Sequence, residues 1–157
     1  MNRISSVLCL ALVAGVVSCR NAAGPDATLV GGWVVRESTS PSGYYETHLT
    51  FAADGTFTDA IRSFGSYPSQ SPGDLSSYSI LSGTYRVQAD QLAIEVNRIV
   101  LWDRFYGANS LETVRNVNTT IFDQSRFRIV GSILTLDYIT YPAEAPVPTK
   151  KVLLRAE

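Results

Sequence analysis

The sequence predicts an all-β domain: an antiparallel meandering β-barrel of about eight strands, with a β-sandwich as the alternative. From Leu29 onward, short runs alternate between apolar and polar residues, which is the period of a half-buried strand. Turn residues separate these runs, and no stretch sustains the period of an amphipathic helix. A barrel of about eight strands has an interior that side chains fill or that holds one small ligand.

The first two predicted strands, Leu29 to Thr39 and Tyr44 to Phe51, are separated by a Ser-Pro-Ser-Gly turn. Trp33 and Val35 share one face of the first strand. In the second strand every other residue up to Phe51 faces the same way, and this strict alternation predicts one buried face.

A hairpin is predicted at Asp54-Gly55, which lies between two alternating runs. Asp and Gly tolerate the positive φ that a type I′ turn needs, so this turn type is the expected one. The partner strand runs from Thr56 to Phe64. The following segment, Gly65 to Ser77, is rich in Ser, Pro and Gly and is interpreted as a long irregular loop.

A second hairpin is predicted around Ala89-Asp90, between strands at Tyr78 to Gln88 and Gln91 to Trp102. Residues 103–123 fit two interpretations: a short helical turn with a capping box from Asn109 to Glu112, or a further strand. The remaining predicted strands are Ser125 to Val130, Ile133 to Tyr141, and Lys150 to Arg155. Prolines exclude a central strand between the last two.

The first 18 residues have the organisation of a secretory signal peptide. Arg3 is the only charged side chain before position 20, and the mostly apolar run from Ile4 to Val17 follows it. This run is shorter than the roughly 20 apolar residues that a membrane-spanning helix needs. The sequence therefore predicts export and removal of residues 1–18.

Val16-Val17-Ser18-Cys19 resembles the lipobox of bacterial lipoproteins at all four positions. The resemblance implies cleavage after Ser18 and lipidation of Cys19, which makes the lipid bilayer a partner. Several acyl chains on one cysteine anchor durably, because a single chain binds a membrane only marginally. Position 20 is not the Asp that favours inner-membrane retention in enteric bacteria, so we expect the outer membrane of the cell envelope. The predicted organisation is a signal peptide at 1–18, a lipidated tether at 19–28 and a β-barrel domain at 29–157.

Cysteine usage argues against a disulfide-stabilised domain, and the charge argues against a nucleic-acid-binding protein. Cys9 leaves with the signal peptide and Cys19 carries the lipid, so the mature chain has no cysteine for a disulfide. Its stability must come from the core of one domain of about 139 residues. Without Arg3, 12 basic residues remain against 14 acidic ones, and no basic run exceeds Lys150-Lys151. Nucleic acid is not expected as a partner, because phosphate binding needs clustered cations.

Two segments resemble the lipocalin-like domains of bacterial envelope lipoproteins. The Gly-x-Trp of the first lipocalin strand is matched by Gly31-Gly32-Trp33. The second segment, Leu49 to Phe57, has an aromatic-flanked Asp-Gly hairpin, and Gly83-Thr84-Tyr85 and Leu92-Ala93-Ile94 follow it. The resemblance covers residues 29 to 96. It implies a barrel closed at one end by Trp33 against the terminal strand, with Arg155 as the counterpart of a family arginine that packs on this tryptophan.

The sequence departs from the family pattern in two places. The family has a Thr-Asp-Tyr motif before its seventh strand, whereas Leu136-Asp137-Tyr138 lies within a late strand. The family also has a helix after the barrel, and no helical pattern follows the last predicted strand. The ligands of classical lipocalins are therefore not transferred to this chain.

The sequence predicts neither an enzyme nor a bound cofactor. His48 is the only histidine and no thiolate remains, so a metal site is not expected. Alternation places His48 opposite Leu49 and Phe51, on the solvated face of its strand. No Gly-x-Ser-x-Gly elbow and no glycine-rich phosphate loop are present.

Aromatic side chains carry the remaining functional signal. Seven fall on the apolar faces of the predicted strands: Trp33, Phe51, Phe57, Tyr85, Trp102, Phe127 and Tyr138. They predict either the lining of an apolar cup or a filled barrel core. The leading hypothesis is a lipid-anchored barrel that binds a small apolar or amphipathic ligand. The alternative is a non-catalytic module with a filled core that interacts with another envelope protein.

Overall fold

The computed structural model describes residues 26–38, 43–65, 70–71, 73–104, 111–142 and 145–157. These residues form eight strands and no helix, and none of them belongs to an apolar helix long enough to cross a membrane. The strands are β1 (Gly31–Ser38), β2 (Tyr44–Phe51), β3 (Thr56–Phe64), β4 (Leu75–Gln88), β5 (Gln91–Asp103), β6 (Thr113–Val130), β7 (Ile133–Thr140) and β8 (Val147–Arg155). The predicted signal peptide, Cys19 and Asn109 lie outside the described residues.

The eight strands close into a single antiparallel barrel in which each strand pairs with its neighbours in sequence and β8 returns to β1. The meandering barrel predicted from the sequence is therefore confirmed, in preference to the sandwich. Because side chains alternate along a strand, each strand has one face toward the interior and one toward the outside.

The barrel closes through two residue pairs and one hydrogen bond from the Ala156 amide to the Gly32 carbonyl, at 2.9 Å. Trp33 lies opposite Arg155 and Val34 lies opposite Leu154, whereas all eight residues of β1 pair with β2. The closure is confined to the end of the barrel where β1 begins and β8 ends. We call this the tryptophan end. We call the opposite end, where β3 connects to β4 and β5 to β6, the loop end.

The chain enters the barrel through a turn that precedes β1. The prediction that the first strand starts at Leu29 was two residues early, because the Leu29 amide donates to the Asp26 carbonyl at 2.9 Å and β1 begins at Gly31. Leu29 is fully buried. Residues 26–28 of the predicted tether therefore belong to an ordered turn against the tryptophan end.

The β2–β3 hairpin forms at the predicted residues with a different turn. Gly55 has the expected positive φ, at +84°, but Asp54 is not among the positive-φ residues, as type I′ requires. The Gly55 amide donates to the Ala52 carbonyl at 3.1 Å, and the Ala52 amide donates to the Thr56 carbonyl at 2.9 Å. This pattern fits a three-residue loop ending in a left-handed glycine. The Asp54 carboxylate supports the loop by accepting hydrogen bonds from the amide and hydroxyl of Thr56.

Strands β4, β6 and β8 are longer than predicted at the loop end. β4 begins at Leu75, so the predicted irregular loop ends three residues earlier than Ser77. β6 runs without interruption from Thr113 to Val130. For the described part of 103–123 that follows residue 112, the strand interpretation is therefore the correct one.

β8 begins at Val147 and includes Pro148, which lies opposite Ile139, so the prediction that prolines exclude a strand there was wrong for this residue. Proline is tolerated here because this part of β8 pairs with β7 alone.

Bulges break the alternation in β5 and β6. The β5–β6 register shifts between Val96 and Arg98, and in β6 Phe122 and Gln124 both have a φ of +52°. A one-residue bulge moves every later side chain of its strand to the other face. The sequence period therefore misassigns faces in these two strands.

Candidate functional site

The half of the interior near the tryptophan end is a packed apolar core. Phe51 and Tyr85 meet edge to face at 5.0 Å between ring centroids, and Phe57 lies beside Phe51 at 6.5 Å. These three rings are at most 4% exposed. The rest of this core is aliphatic: Leu49, Val87, Leu92, Ile94, Val96, Leu134, Leu136 and Leu153. Of the residues predicted to line a cup, Phe51, Phe57 and Tyr85 therefore fill the core.

Trp33 closes this core against the chain termini. The indole is fully buried, and its Nε1 donates to the Leu29 carbonyl at 2.9 Å. The Arg155 guanidinium lies over the ring, 4.3 Å from its centroid, and donates to the carbonyls of Val30 at 3.0 Å and Thr28 at 2.7 Å. Both predictions for Trp33, its burial and its pairing with Arg155, are confirmed.

The other predicted lining residues lie at different places. Phe127 is half-buried against the core. Tyr138 is half-buried, and its ring meets Phe122 edge to face at 4.7 Å. Trp102 lies near the loop end on the outer face of β5, stacked on Tyr78 at 5.5 Å, and both residues border a cleft at this end of the barrel. The β5 bulge explains this last position, because it turns Ile99 inward and Trp102 outward. The structure does not bring the seven aromatic residues together around one cavity.

A polar layer crosses the interior above the apolar core. Asp59 on β3 shares the inward face with Phe57 and is only 4% exposed. Its Oδ1 is buried and has no hydrogen-bond partner among the described residues. Across the barrel, Lys151 on β8 donates from Nζ to the hydroxyl of Thr47 on β2 at 3.2 Å, and Thr47 is 1% exposed. Burying charged groups is costly, so such a layer needs an explanation beyond packing.

The electrostatics of this layer follow from burial. Desolvation raises the pKa of the Asp59 carboxyl from 3.8 to about 6, and the positive charge of Lys151 opposes this rise. Burial also raises the pKa of Tyr138, with smaller contributions from the negative charges of Asp59 and Glu37. The charge of Asp59 therefore interacts with both Lys151 and Tyr138, although the three side chains come from three different strands.

A cleft of about 600 Å³ lies at the loop end, one inward position of β3 beyond Asp59, and none of the three polar-layer residues lines it. Ile61 lines it and follows Asp59 by two residues on the same face of β3. The wall combines hydroxyl groups, apolar side chains and one ion of each sign, and it includes Ser63, Ser77, Ser79, Leu101, Asp103 and Arg115. Cavities that hold small ligands measure about 300–1,000 Å³ and combine apolar walls with a few polar groups. We call this cleft with the Asp59–Lys151–Thr47 layer the loop-end site.

The β6 bulge opens two further clefts on the barrel wall. One of about 570 Å³ contains Arg86, Phe122 and Arg126, and another of about 440 Å³ contains Arg126 and Tyr138. Arg126 also faces Asp90 at 3.6 Å. Cations and anions are mixed at the first cleft, so its charge favours no ligand class.

His48 lies outside the interior. Its Nε2 is 2.7 Å from Glu46 Oε1, and the other oxygen of Glu46 pairs with Arg36 at 2.7 Å. These hydrogen bonds to Arg36 and His48 lower the pKa of Glu46. The group is a surface network on the outer face of β1 and β2, as the alternation of β2 predicts for His48. No cluster of three metal-ligating side chains occurs among the described residues.

Sequence reasoning missed Asp59 and Lys151. Both occupy inward positions of the period-2 pattern: Asp59 lies between Phe57 and Ile61, and Lys151 precedes Leu153. The sequence did indicate these two residues, because each places a charged side chain at a position where the alternation predicts burial. Charged residues are almost never fully buried unless they are paired. Lys151 was interpreted only as part of a short basic pair.

No family model matches the sequence. No curated protein and no solved structure matches it either. The class of the protein is therefore set by the structure: a closed, eight-stranded antiparallel β-barrel with a filled tryptophan end and a polar layer at mid-height.

Proposed function

We propose that the protein is a bacterial envelope lipoprotein, anchored to the outer membrane through Cys19, whose barrel binds a small amphipathic molecule in the loop-end site. The observation that carries the ligand proposal is Asp59: an acid 4% exposed inside the barrel, with an unpartnered oxygen, next to a cleft of about 600 Å³. An unsatisfied buried acceptor costs about 1–3 kcal/mol, and a bound polar group offsets that cost.

The distribution of polarity supports an amphipathic ligand over a purely apolar one. The apolar core near Trp33 is packed, and of its buried residues only Val87 and Leu92 line one of the three clefts. The loop-end cleft adds Ile61 and Leu101 to several hydroxyl groups. A molecule with a polar head at Asp59 and an apolar body in the cleft satisfies both parts of the site.

Native mass spectrometry of the purified protein tests ligand binding, through a co-purified molecule of a few hundred daltons. Ser79 lines the loop-end cleft, so Ser79→Trp fills it and is expected to abolish the bound species. Ser82 lies on the opposite face of β4, which makes Ser82→Trp the matched control. Wild-type protein without any bound species, and without affinity for the neutral amphiphile 1-N-phenylnaphthylamine, contradicts the proposal.

The anchor has its own test. It rests on Val16-Val17-Ser18-Cys19, which resembles a lipobox. We expect Cys19→Ala to abolish labelling by radioactive palmitate and to release the protein from membranes, whereas Cys9→Ala changes neither. Palmitate label that persists on the Cys19→Ala protein contradicts lipidation at this residue.

An apolar patch on the outer face favours a second candidate function, a protein-interaction module. Val34, Leu154, Ile133 and Val130 are successive cross-strand partners on β1, β8, β7 and β6. The last three are 55%, 41% and 62% exposed, and Val152 beside them is 47% exposed. Contiguous exposed apolar side chains are typical of protein-binding surfaces.

A photo-crosslinking residue at Leu154 tests this alternative in living cells. If the patch binds an envelope protein, one discrete crosslinked species is expected at Leu154 and none at Arg62, which is exposed on the outer face of β3, away from the patch. Equal crosslinking at both positions indicates random encounters and contradicts a specific partner.

A further inference from the structure

We propose that Asp59 and Lys151 together select a ligand whose head group is uncharged and carries both a hydrogen-bond donor and an acceptor, such as a primary amide. The inference rests on the proposed function and specifies the ligand of the loop-end site.

The two charged groups influence each other, but no ion pair within 4.0 Å joins them. The positive charge of Lys151 acts on the Asp59 carboxyl, but the Nζ hydrogen bond goes to the Thr47 hydroxyl instead. Asp59 Oδ1 accepts no hydrogen bond from any described residue. The layer therefore offers a free acceptor beside an ammonium group, which has three N–H donors.

Charge balance inside the barrel decides which head group fits. With Asp59 ionised and Lys151 protonated, the pair is formally neutral. A carboxylate head group adds a second negative charge beside Asp59, and an ammonium head group adds a second positive charge beside Lys151. Each case leaves an uncompensated charge in a poorly solvated interior, which is strongly unfavourable. A neutral donor–acceptor group satisfies Oδ1 and Nζ and leaves the balance unchanged.

The position of the cleft determines the orientation in which the ligand binds. Ile61 follows Asp59 on the inward face of β3, and Leu101 lies at the same level through the register Ile61–Ser79–Leu101. Both line the loop-end cleft. The head group therefore reaches inward to the polar layer, and the apolar part extends toward the loop end.

The same geometry predicts how the charge preference of the site changes when either charged side chain is neutralised. Asp59→Asn leaves Lys151 as the only interior charge of the pair, so the site becomes suited to an anion. Lys151→Gln leaves Asp59, so the site becomes suited to a cation. The chain provides matched controls: Lys150 and Asp137 are exposed, are cross-strand partners, and pair with each other at 3.6 Å.

Displacement of 1-N-phenylnaphthylamine from the full chain carrying Cys19→Ala tests the inference at pH 8. The competitors are dodecanamide, dodecanoate and dodecylamine, which share one chain length and differ in head-group charge. In the parent protein dodecanamide is expected to bind about tenfold more tightly than either charged competitor, the ratio that corresponds to about 1.4 kcal/mol. The relative affinity for dodecanoate is expected to rise in Asp59→Asn, and that for dodecylamine in Lys151→Gln. The control variants Lys150→Gln and Asp137→Asn should keep the order of affinities of the parent protein.

The outcomes separate the inference from the proposed function. If the probe binds and is displaced with the same order in all five proteins, the loop-end site remains and the selection by Asp59 and Lys151 is overturned. If the parent protein binds neither probe nor competitor, the proposed ligand-binding function fails, and the inference fails with it.

Discussion

The Arg155 guanidinium lies 4.3 Å from the centroid of the Trp33 ring, and the two residues are also cross-strand partners where β8 meets β1. One contact therefore joins the first and last strands of the barrel. A fully buried indole packs beneath it and a cation covers it. One further residue pair and the hydrogen bond from the Ala156 amide to the Gly32 carbonyl also join this part of the barrel, so we expect the contact to contribute to its closure.

We predict a hierarchy of stability losses at this contact. Trp33→Ala is expected to cost about 3–5 kcal/mol, because a large buried ring is removed. Arg155→Ala should cost about 0.5–2 kcal/mol, the range of a cation–π contact. The double variant should lose less than the sum, since both changes remove the same contact. Urea denaturation measures all three values, and additivity of the two losses argues against direct coupling.

Gly55 is predicted to resist substitution because of its backbone and not for lack of space. Its φ is +84°, and an added Cβ meets only the Tyr85 carbonyl, at an ordinary 3.7 Å. Gly55→Val should therefore lower the free energy of unfolding by more than about 1 kcal/mol, since β-branched residues avoid positive φ. Gly55→Asn is the control and should lose less, because Asn tolerates this region. Equal melting midpoints for Gly55→Val and wild type contradict the assigned turn.

Asp59 is predicted to destabilise the barrel as the pH rises from about 4 to about 6. The folded state raises its pKa from 3.8 to about 6, so in this window the native protein retains a proton that the unfolded chain releases. Stability from this group is present at the acid end and is lost as the pH increases. The full effect is about 3 kcal/mol.

The difference between wild type and Asp59→Asn isolates this effect from other carboxyl groups. Asp26, Asp54 and Glu46 have lowered pKa values and act in the opposite direction, but they are present in both proteins. The free energy of unfolding of Asp59→Asn relative to wild type should rise between pH 4 and pH 7. For the exposed control Asp137→Asn, the free energy of unfolding relative to wild type should not rise in this way. If the free energies of unfolding of Asp59→Asn and wild type change in parallel with pH, the prediction is refuted.

The alternation of side chains was sufficient to predict most of the barrel. It located the buried face of β2, which contains Leu49 and Phe51. The Gly-Gly-Trp segment correctly predicted that Trp33 packs with Arg155 where the last strand meets the first. It failed where a bulge changes the phase, as at Trp102, because nothing in the local sequence of β5 marks the extra residue. Residues 113–123 were ambiguous for a related reason: Phe122 lies at positive φ, where an aromatic residue is unusual.

The candidate site was much harder to predict than the fold. The seven aromatic residues were grouped by hydrophobicity, which does not distinguish a filled core from a cavity lining. Asp59 and Lys151 come from strands about 90 residues apart, and only the closed topology brings them into one layer. Their relationship depends on register across several strands, which a single sequence does not specify.

If the proposed lipid anchor at Cys19 is correct, the turn that begins at Asp26 determines which end of the barrel lies nearer the membrane. The Arg155 guanidinium holds the Thr28 carbonyl at 2.7 Å, so the chain emerges from the tryptophan end. If Cys19 carries the lipid, about seven residues connect it to Asp26, a reach of at most roughly 25 Å. The tryptophan end then faces the headgroups and the loop-end site faces the aqueous compartment. Such an orientation suits capture of molecules that arrive through water, rather than extraction of lipids from the leaflet below.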